Sequence, residues 1–489
     1  MADMKHALNW IGGEWVDADK ISTAIDPATS EEIGTFADAS KQDAQRAIDA
    51  ARRSFRTSRW SRDRHLRARV LNQLADAFER NAQALIDLLC LNNGKVRAEA
   101  ELEVFMVPAK LRFYAAVTLT EYGRALEPLN GTISMVLRQP IGVAGIIVPW
   151  NSPIVLMIRS LAPALAAGTT AVIKFPGQTA LVNHKVMEVM AEAADLPDGV
   201  VNAFTETGYE GSALLVDSPD VPTISFTGST RTGRSISEAG AKYLKRFGLE
   251  LGGKTPLVMF DDARLEDLAP LFEKALTVFA GQFCMTGSRW LVQKGIADRF
   301  RDLMAERMRA IKVGPASDPA SDMGPQIDKG NVERIDRIVE DAIAKGAKPI
   351  VRGGPVTEGE LAKGAFYQPA MLEVSDPKMA IVQEETFGPV VTMQVFETEE
   401  EAVALANDSE YGLAAGVYTQ DVNRAFRVAR EIDAGTVWIN EWAKIYDEFE
   451  EGGFKQSGQG RMNGLAVMDD FVEYKHITLS QGVMFPPED

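Results

Sequence analysis

The chain has 489 residues, of which 46% are hydrophobic and 25% charged, so it is long enough for two or three domains that each bury a core. Its formal net charge of −17 argues against nucleic acid or an anionic membrane as a partner, because both bind basic surfaces. Two cysteines cannot build a disulfide framework, and no apolar run approaches the length of a membrane span, so we expect a cytoplasmic protein with no membrane partner.

The first third of the chain has a helical pattern. Apolar residues recur at intervals of three and four over residues 43–55, 64–91 and 100–122, which predicts a helix in each range. Cys90 falls on the apolar face of the second range and is expected to pack in the core. The four histidines are dispersed along the chain, so no metal site is predicted.

From residue 132 the pattern changes to short apolar strands that alternate with helices. Strands are predicted at 141–148, 170–174, 200–204, 223–226 and 246–249. Helices are predicted at 154–167, where Gly168 ends the helix, and at 179–193. This alternation is typical of βαβ units on a parallel sheet that is covered on both faces.

A second α/β pattern begins near residue 255. Strands are predicted at 255–260, 290–292 and 414–418, with a helix at 300–311, so we expect a domain boundary near residue 252. Residues 471–479 alternate weakly and predict a last strand, whose open edge needs a partner.

Three stretches carry residue types that suit acyl chemistry. Cys284 lies in GQFCMTGSR at 281–289, Glu250 in LELGGK at 249–254, and Asn151 in PWN at 149–151, directly after a predicted strand. A thiol can attack a carbonyl carbon, and a carboxylate at an apolar strand end holds protons tightly enough to activate water. Taken singly, residues of these types more often have a structural or solvated role.

Together and in this order, the motifs resemble those of the NAD(P)-dependent aldehyde dehydrogenase superfamily, over about residues 8–480. The resemblance implies that Cys284 is the nucleophile, that Glu250 is the base that hydrolyses a thioester, and that the Asn151 amide and the Cys284 N–H bind the oxyanion. The implied reaction oxidises an aldehyde to a carboxylic acid through a thiohemiacetal and a thioester.

Two stretches belong to the expected dinucleotide site, SFTGSTRTG at 225–233 and, by the resemblance, IKFPGQT at 173–179. SFTGSTRTG at 225–233 indicates a strand, a turn and a helix start, where N–H groups can bind a pyrophosphate, although an ordinary capped helix has the same signature. The resemblance extends the cofactor site to thirteen residues. They are Val148, Pro149, Trp150, Lys174, Gly177, Phe226, Thr227, Gly228, Ser229, Leu251, Gly252, Glu385 and Phe387.

The choice between NAD and NADP stays open. Relatives that prefer NAD often have Glu where this chain has Gly177, and the carboxylate that would repel a 2′-phosphate is therefore missing at this position.

The resemblance also implies an architecture. It is α/β, with a Rossmann-like cofactor domain (1–122 and 141–251), a second α/β catalytic domain (252–469) and a small β oligomerisation arm (123–140 and 470–489). In the family this arm pairs subunits, so a homodimer or homotetramer is expected.

The substrate is less constrained. Arg159 falls where many relatives have a bulky aromatic residue, so it either binds an anionic aldehyde tail or is solvated and faces a neighbouring carboxylate. Phe283, Met285 and Trp442 suit an aromatic or aliphatic slot. The family's usual PFGG run is EEGG here, at 450–453, which leaves the shape of that loop undetermined.

Two other classes of function remain. A thiol hydrolase that uses Cys284 without a cofactor would need a histidine partner, and none is near in sequence, although His184 and His476 could approach in space. A non-catalytic binding or structural protein on the same scaffold would have no reason to retain Cys284, Glu250 and Asn151 together.

Overall fold

Two sheets with parallel centres organise the chain, whose computed structural model describes residues 6–120 and 123–482. The first sheet contains the predicted strands between residues 141 and 250, with small shifts at their ends. In spatial order its strands are Gly458–Gln459, Arg246–Glu250, Thr223–Thr227, Val143–Ile147, Thr170–Pro176, Val201–Glu206, Asn9–Ile11 and Glu14–Val16. Pairing is parallel from Arg246–Glu250 to Val201–Glu206, and antiparallel at both edges.

The second sheet is also parallel, apart from one antiparallel edge strand. Its strands, in spatial order, are Lys348–Val351, Ala370–Glu373, Val390–Phe396, Arg289–Gln293, Pro256–Met259, Ala414–Tyr418 and Thr436–Ile439. The chain passes from the first sheet to the second between Glu250 and Pro256. Residues 458–459 return to the first sheet and pair with the strand that ends at Glu250.

Helices cover both sheets. Their bounds are Lys41–Thr57, Arg64–Arg80, Ala82–Asn92, Arg97–Thr120, Pro153–Ala167, Ala180–Ala191, Glu210–Asp217, Thr230–Gly240, Leu265–Thr277, Ala297–Ala310, Lys329–Ala344, Ala380–Gln383, Glu399–Asn407 and Val422–Glu431. Short 3₁₀ turns occur at Gly177–Thr179, Ala241–Tyr243, Val278–Gly281, Lys294–Ile296, Glu360–Lys363 and Ala466–Asp470. Within the described ranges, no helix has both the length and the apolar character that crossing a bilayer requires.

Local capping explains where several helices begin and end. Ser40 and Asp43 form a reciprocal capping box at the start of Lys41–Thr57. Gly168 adopts a left-handed φ of 93° at the end of Pro153–Ala167, the role predicted for it. The single helix predicted over 64–91 is wrong, because the chain breaks at Asn81. There the side-chain amide donates to the carbonyl of Ala77 and ends the first helix.

The periodicity predicted a helical first third of the chain, but that part also contains strands. Short strands precede the first helix: His6–Ala7, Glu32–Asp38 and Lys20–Ile25 form a small sheet, while Asn9–Ile11 and Glu14–Val16 extend the first large sheet. Asn9–Ile11 pairs with Val201–Glu206, which is remote in sequence, so no local pattern announces it. The predicted helix at 100–122 is Arg97–Thr120, and residues 121–122 lie outside the described residues.

The strand predicted at 471–479 belongs to a separate antiparallel sheet. Val472–Ser480 pairs along its length with Thr132–Pro140, which also pairs with Arg124–Leu129. Leu126, Leu129 and Leu479 expose more than half of their surface on this sheet. Residues 1–5 and 483–489, the ends of the predicted domains, lie outside the described residues. Two further two-stranded sheets pair Gly354–Pro355 with Tyr367–Gln368, and Tyr411–Gly412 with Phe454–Lys455.

Candidate active site

The carboxyl ends of four neighbouring parallel strands bring the predicted residues other than Cys284, Glu385 and Phe387 to one edge of the first sheet. Ile147 lies opposite Lys174 and Phe226, and Thr227 lies opposite Glu250. The segment Val148–Pro149–Trp150–Asn151 leaves the sheet at this edge, as do Gly228 and Ser229 after Thr227, and Leu251 and Gly252 after Glu250. Ligands of open α/β sheets bind at this edge, so the topology brings together segments that are remote in sequence.

A cavity of about 880 Å³ opens beside this edge, between the helices Glu210–Asp217 and Thr230–Gly240. Its lining is largely apolar and includes Ile147, Leu214 and Phe226. Ser229 caps the second helix by accepting a hydrogen bond from Thr232 N–H. An apolar slot beside a helix N-terminus suits an adenine ring and the pyrophosphate of the same nucleotide, so these residues fit a dinucleotide.

Lys174 and Gly177 lie farther along the same edge. Burial lowers the pKa of Lys174, while the carboxylates of Glu206 and Asp38 raise it. Gly177 starts a 3₁₀ turn, and a Cβ there would lie 3.0 Å from the Thr207 side chain. The backbone is therefore closely packed at the position where the sequence left the nucleotide preference open.

The loop that carries Cys284 is held in an unusual conformation. Phe279, Ala280 and Gly281 all have positive φ, which is costly for the first two because they carry a Cβ. The Phe279 N–H donates to the buried Glu99 carboxylate at 2.8 Å, which anchors the turn. A side chain at position 281 would collide with the backbone of Gly388, so only glycine allows these two segments to meet.

Cys284 has a strongly perturbed thiol. Burial raises its pKa to about 12, and the nearby Arg159 guanidinium opposes that rise. Glu250, Glu385 and Glu451 add to the rise through their negative charges. Since the thiolate is the nucleophile, the balance of charges around the sulfur controls its reactivity.

Glu250 ends its strand in a buried position, with 3% of its surface exposed. Burial raises its pKa to about 7, as the sequence predicted in direction, and Arg159 opposes the rise. Among the described residues, none forms a hydrogen bond with its Oε1 atom. A carboxyl group with this pKa can accept a proton from water near neutral pH.

Asn151 lies within reach of the cysteine loop. Its Nδ2 donates to the carbonyl of Gln282 at 2.9 Å, which ties the segment after the first-sheet strand to the residue two before Cys284. A second link closes the same corner, because a Cβ on Gly253 would lie 2.6 Å from the Cys284 carbonyl oxygen. Asn151, Cys284 and the segment that follows Glu250 therefore surround one small space.

Glu385 and Phe387 approach this space from the second sheet. Glu385 accepts a hydrogen bond from Gly253 N–H at 3.2 Å, and burial raises its pKa to about 7. The Phe387 ring packs edge-on against Trp150, with the ring centroids 5.5 Å apart. The two residues thus face the first-sheet segments on which the other predicted cofactor residues lie.

Arg159 is buried and its partner is Glu451. Its Nη1 lies 2.9 Å from Glu451 Oε1, and its Nη2 donates to Thr227 Oγ1 at 2.8 Å. The sequence allowed Arg159 either to bind an anionic substrate tail or to face a neighbouring carboxylate, and the structure contains the carboxylate contact. Arg159 is, however, buried rather than solvated. Glu451 belongs to the EEGG run at which the chain departs from the family pattern.

Aromatic rings also lie beside the loop that carries Cys284. Phe283 packs edge-on against Trp442 with centroids 5.8 Å apart, and Trp442 Nε1 donates to the Met285 carbonyl at 3.1 Å. These three residues, which the sequence grouped as a slot, lie together beside Cys284.

Sequence reasoning missed the residues that support Asn151. Glu103 accepts hydrogen bonds from the N–H groups of Ile154 (2.8 Å) and Val155 (3.3 Å), at the start of the helix that follows Asn151. Lys95 pairs with Glu103 and also donates to Ser152 Oγ at 2.9 Å. The available signal was the spacing of Glu99 and Glu103, which puts two buried carboxyl groups one turn apart on the helix Arg97–Thr120.

The fold and the site define a class of protein with two α/β units. A cysteine loop and a buried carboxyl group lie where the parallel strands of the first sheet end, as in sheets that bind dinucleotides. The model of the aldehyde dehydrogenase family matches residues 15–477. Betaine aldehyde dehydrogenase from Bacillus subtilis (strain 168) is 37% identical over 472 residues, which covers 96% of each chain.

Solved structures show the same likeness. Betaine aldehyde dehydrogenase from Staphylococcus aureus in complex with NAD+ matches with a TM-score of 0.95 and 36% identity, over 98% of this chain and 96% of that chain. Another structure of that enzyme in complex with NAD+ matches with a TM-score of 0.96, over 99% and 97% of the two chains. The chain belongs to the aldehyde dehydrogenase family, and the predicted family, fold and enzyme class are confirmed.

Proposed function

We propose that this enzyme oxidises an aldehyde to a carboxylic acid with NAD or NADP, using Cys284 as nucleophile, Glu250 as general base and Asn151 as oxyanion donor. The observation that carries the proposal is the convergence of these three residues, whose segments come from different strands and loops of the fold. A thiol, a proton-accepting carboxyl group and an amide that meet in one place suit a common chemical task.

In the proposed first step the Cys284 thiolate attacks the aldehyde carbon and forms a carbon–sulfur bond. The amide of Asn151 and the backbone N–H of Cys284 stabilise the negative oxygen of the thiohemiacetal. When bound, the nicotinamide cofactor supplies the two-electron acceptor that the conversion to a thioester requires.

In the proposed second step Glu250 takes a proton from water, and the water oxygen attacks the thioester carbon. The carbon–sulfur bond breaks, the carboxylic acid leaves, and the Cys284 thiolate is restored. A Glu250 pKa of about 7 suits this role because the carboxylate is substantially ionised at neutral pH yet basic enough to accept the proton.

The cofactor is proposed to lie along the edge of the first sheet. Its adenosine would occupy the cavity between the helices Glu210–Asp217 and Thr230–Gly240, and its ribose would contact Lys174. Glu385 and Phe387 would hold the nicotinamide end near Cys284. The Staphylococcus aureus relative is described in complex with NAD+, which makes NAD the first nucleotide to test.

We further propose the domain division given above, with residues 1–122 and 141–251 binding the cofactor and 252–469 carrying the nucleophile. The sheet of residues 123–140 and 470–489 would join subunits into a homodimer or homotetramer in the cytoplasm. Exposed leucines on that sheet support an assembly role, because large apolar side chains on an open sheet edge are otherwise an aggregation risk.

The proposed substrate is an aldehyde whose tail is neutral or cationic. Arg159 is already paired with Glu451, so an anionic tail would have no free cation to bind at this position. The faces of Phe283 and Trp442 suit an apolar tail, and aromatic faces also attract quaternary ammonium groups. The relative in Bacillus subtilis bears the name of such an aldehyde.

The test is reduced-nucleotide formation, followed by absorbance, with NAD+ and NADP+ and a panel of aliphatic, aromatic, carboxylate-bearing and quaternary ammonium aldehydes. We expect turnover that disappears in Cys284→Ser and persists in Cys90→Ser, the matched control. Hydrolysis of an ester at the same rate without nucleotide and no aldehyde oxidation would favour the thiol hydrolase. Absence of turnover with every aldehyde would favour a binding protein.

A further inference from the structure

Arg159 and Glu451 form a buried ion pair beside the two reacting groups, and the proposed mechanism gives it no role. Arg159 exposes 5% of its surface and Glu451 exposes 5%, so water screens their charges poorly. Burying two charges is expensive, and a pair of apolar side chains of similar volume would serve packing at least as well. The pair therefore calls for a reason beyond stability.

Contacts connect the pair to Glu250. Arg159 Nη2 donates to Thr227 Oγ1 at 2.8 Å, and Thr227 lies opposite Glu250 on the neighbouring strand. Gly452, which follows Glu451, packs so closely that a Cβ there would lie 3.1 Å from Glu250 Oε1. The guanidinium and the two carboxyl groups thus share one enclosed space.

The polar atoms in this space are only partly satisfied. Among the described residues, none forms a hydrogen bond with Arg159 Nε, Glu250 Oε1 or Glu451 Oε2, although all three atoms are buried. Since the pair is buried and water screens it poorly, its charges act on the groups around them.

We propose that Arg159 and Glu451 are positioning residues that set the charge balance between the Cys284 thiol and the Glu250 carboxyl group. Arg159 favours the ionised form of both groups, and Glu451 opposes it. The pair therefore keeps the ionised fraction of each group between the values that either charge alone would give. The inference rests on the proposed roles of Cys284 and Glu250, and it assigns a function to the residues at which this chain departs from the family pattern.

The charges that surround each reacting group are consistent with this role. Around Cys284, Arg159 lowers the thiol pKa, whereas Glu250, Glu385 and Glu451 raise it. Around Glu250, Arg159 and Arg461 lower the carboxyl pKa, whereas Glu451 and Asp470 raise it. Arg159 is the largest charge effect on both groups, after burial itself.

The test measures alkylation of Cys284 by iodoacetamide in the full-length protein, without nucleotide or aldehyde, over about pH 6 to 10, because the rate follows the thiolate fraction. We expect Arg159→Leu to react about three- to tenfold more slowly than the unaltered protein below the thiol pKa, and Glu451→Gln to react faster by a similar factor. Arg159→Lys keeps the charge and should react at nearly the unaltered rate.

Controls separate charge from general disturbance. Cys90 in the same sample, read by peptide mass, should react at one rate in all variants. Arg67→Leu removes another buried arginine, whose Nη1 donates to the Trp60 carbonyl, and should leave Cys284 unchanged. Changes in the same direction for Arg159→Leu and Glu451→Gln, or unchanged rates in both, would overturn the inference. If Arg159→Leu does not fold, the other two variants decide the test. The inference then requires that Cys284 is alkylated faster in Glu451→Gln and at the unaltered rate in Arg159→Lys.

A second readout uses turnover. The pH at which kcat rises should move upward in Arg159→Leu and downward in Glu451→Gln, because the Glu250 carboxyl group loses opposite charges in the two variants. If Cys284 is alkylated more slowly in Arg159→Leu and faster in Glu451→Gln, but the protein oxidises no aldehyde, only the proposed function is contradicted. Intact oxidation with unshifted alkylation would contradict only the role of the pair.

Discussion

At the residue scale, burial decides the chemistry of the site before any neighbour does. Burial is the main cause of the raised pKa values of Cys284, Glu250 and Glu385. The same cause lowers the pKa of Lys254, to about 7, so the charge of this lysine also depends on pH near neutrality. Burial favours the protonated forms of the Cys284 thiol and the Glu250 carboxyl group. Both groups can ionise at neutral pH only if charges such as that of Arg159 partly offset this effect of burial.

The raised pKa of Glu250 predicts the pH dependence of turnover. Glu250 acts as a base in its ionised form, so the rate of thioester hydrolysis should rise as pH increases through about 7 and fall below it. In Glu250→Gln we expect steady-state turnover to fall by about 10²- to 10⁴-fold. One equivalent of reduced nucleotide should still form rapidly, because only hydrolysis is blocked.

Stopped-flow absorbance separates that initial burst from steady turnover. Glu238→Gln, on the helix Thr230–Gly240, is a control with an exposed carboxyl group and should behave like the unaltered enzyme. A Glu250→Gln enzyme that keeps both its burst and its steady-state rate would show that another group activates the water.

At the element scale, the start of the helix Pro153–Ala167 positions Asn151. Pro153 at the first helical position suits a helix start, but Ser152 makes no side-chain cap, so the free N–H groups need another acceptor. Glu103, from the long helix Arg97–Thr120, supplies that acceptor, and Lys95 balances its charge. A tertiary contact therefore does what a local cap does elsewhere in the chain.

Glu103→Ala should therefore destabilise the protein and displace Asn151. The substitution leaves Lys95 as a buried charge without its carboxylate, which typically costs about 3–5 kcal/mol. We expect a lower midpoint of thermal unfolding and reduced turnover. The matched control is Glu101→Ala, two residues away on the same helix and partly exposed. Equal unfolding midpoints for the two variants would contradict the capping role of Glu103.

At the scale of the whole molecule, the antiparallel arm presents an open apolar edge. Leu479 lies opposite Ile133 in this arm and exposes 54% of its surface. Exposure of this kind supports the proposal that a second copy of the chain covers the arm.

Leu479→Lys should therefore shift the protein toward monomers, because a buried lysine without a partner is disfavoured at a subunit interface. Sedimentation velocity measures the change directly. Leu244→Lys is the control, since Leu244 exposes 91% of its surface and lies outside the arm. An unchanged sedimentation coefficient for Leu479→Lys would place the subunit contact elsewhere or show that the protein is a monomer.

The sequence by itself determined the features that depend on local pattern. The alternation of strands and helices after residue 132 predicted the first sheet, and Gly168 predicted the end of one helix. The motifs around Cys284, Glu250 and Asn151 predicted the family, because each combines rare residue types in a fixed order. The direction of the Glu250 pKa also followed from its apolar flanks.

Only the tertiary structure decided the features that depend on contacts between remote segments. The strand Asn9–Ile11 exists because it pairs with Val201–Glu206, which is remote in sequence. The partner of Arg159 and the acceptor at the start of the Asn151 helix lie far away in sequence. Hydrogen bonds and ion pairs act over a few ångströms in space, so residues joined in this way leave no signal at a fixed spacing along the chain.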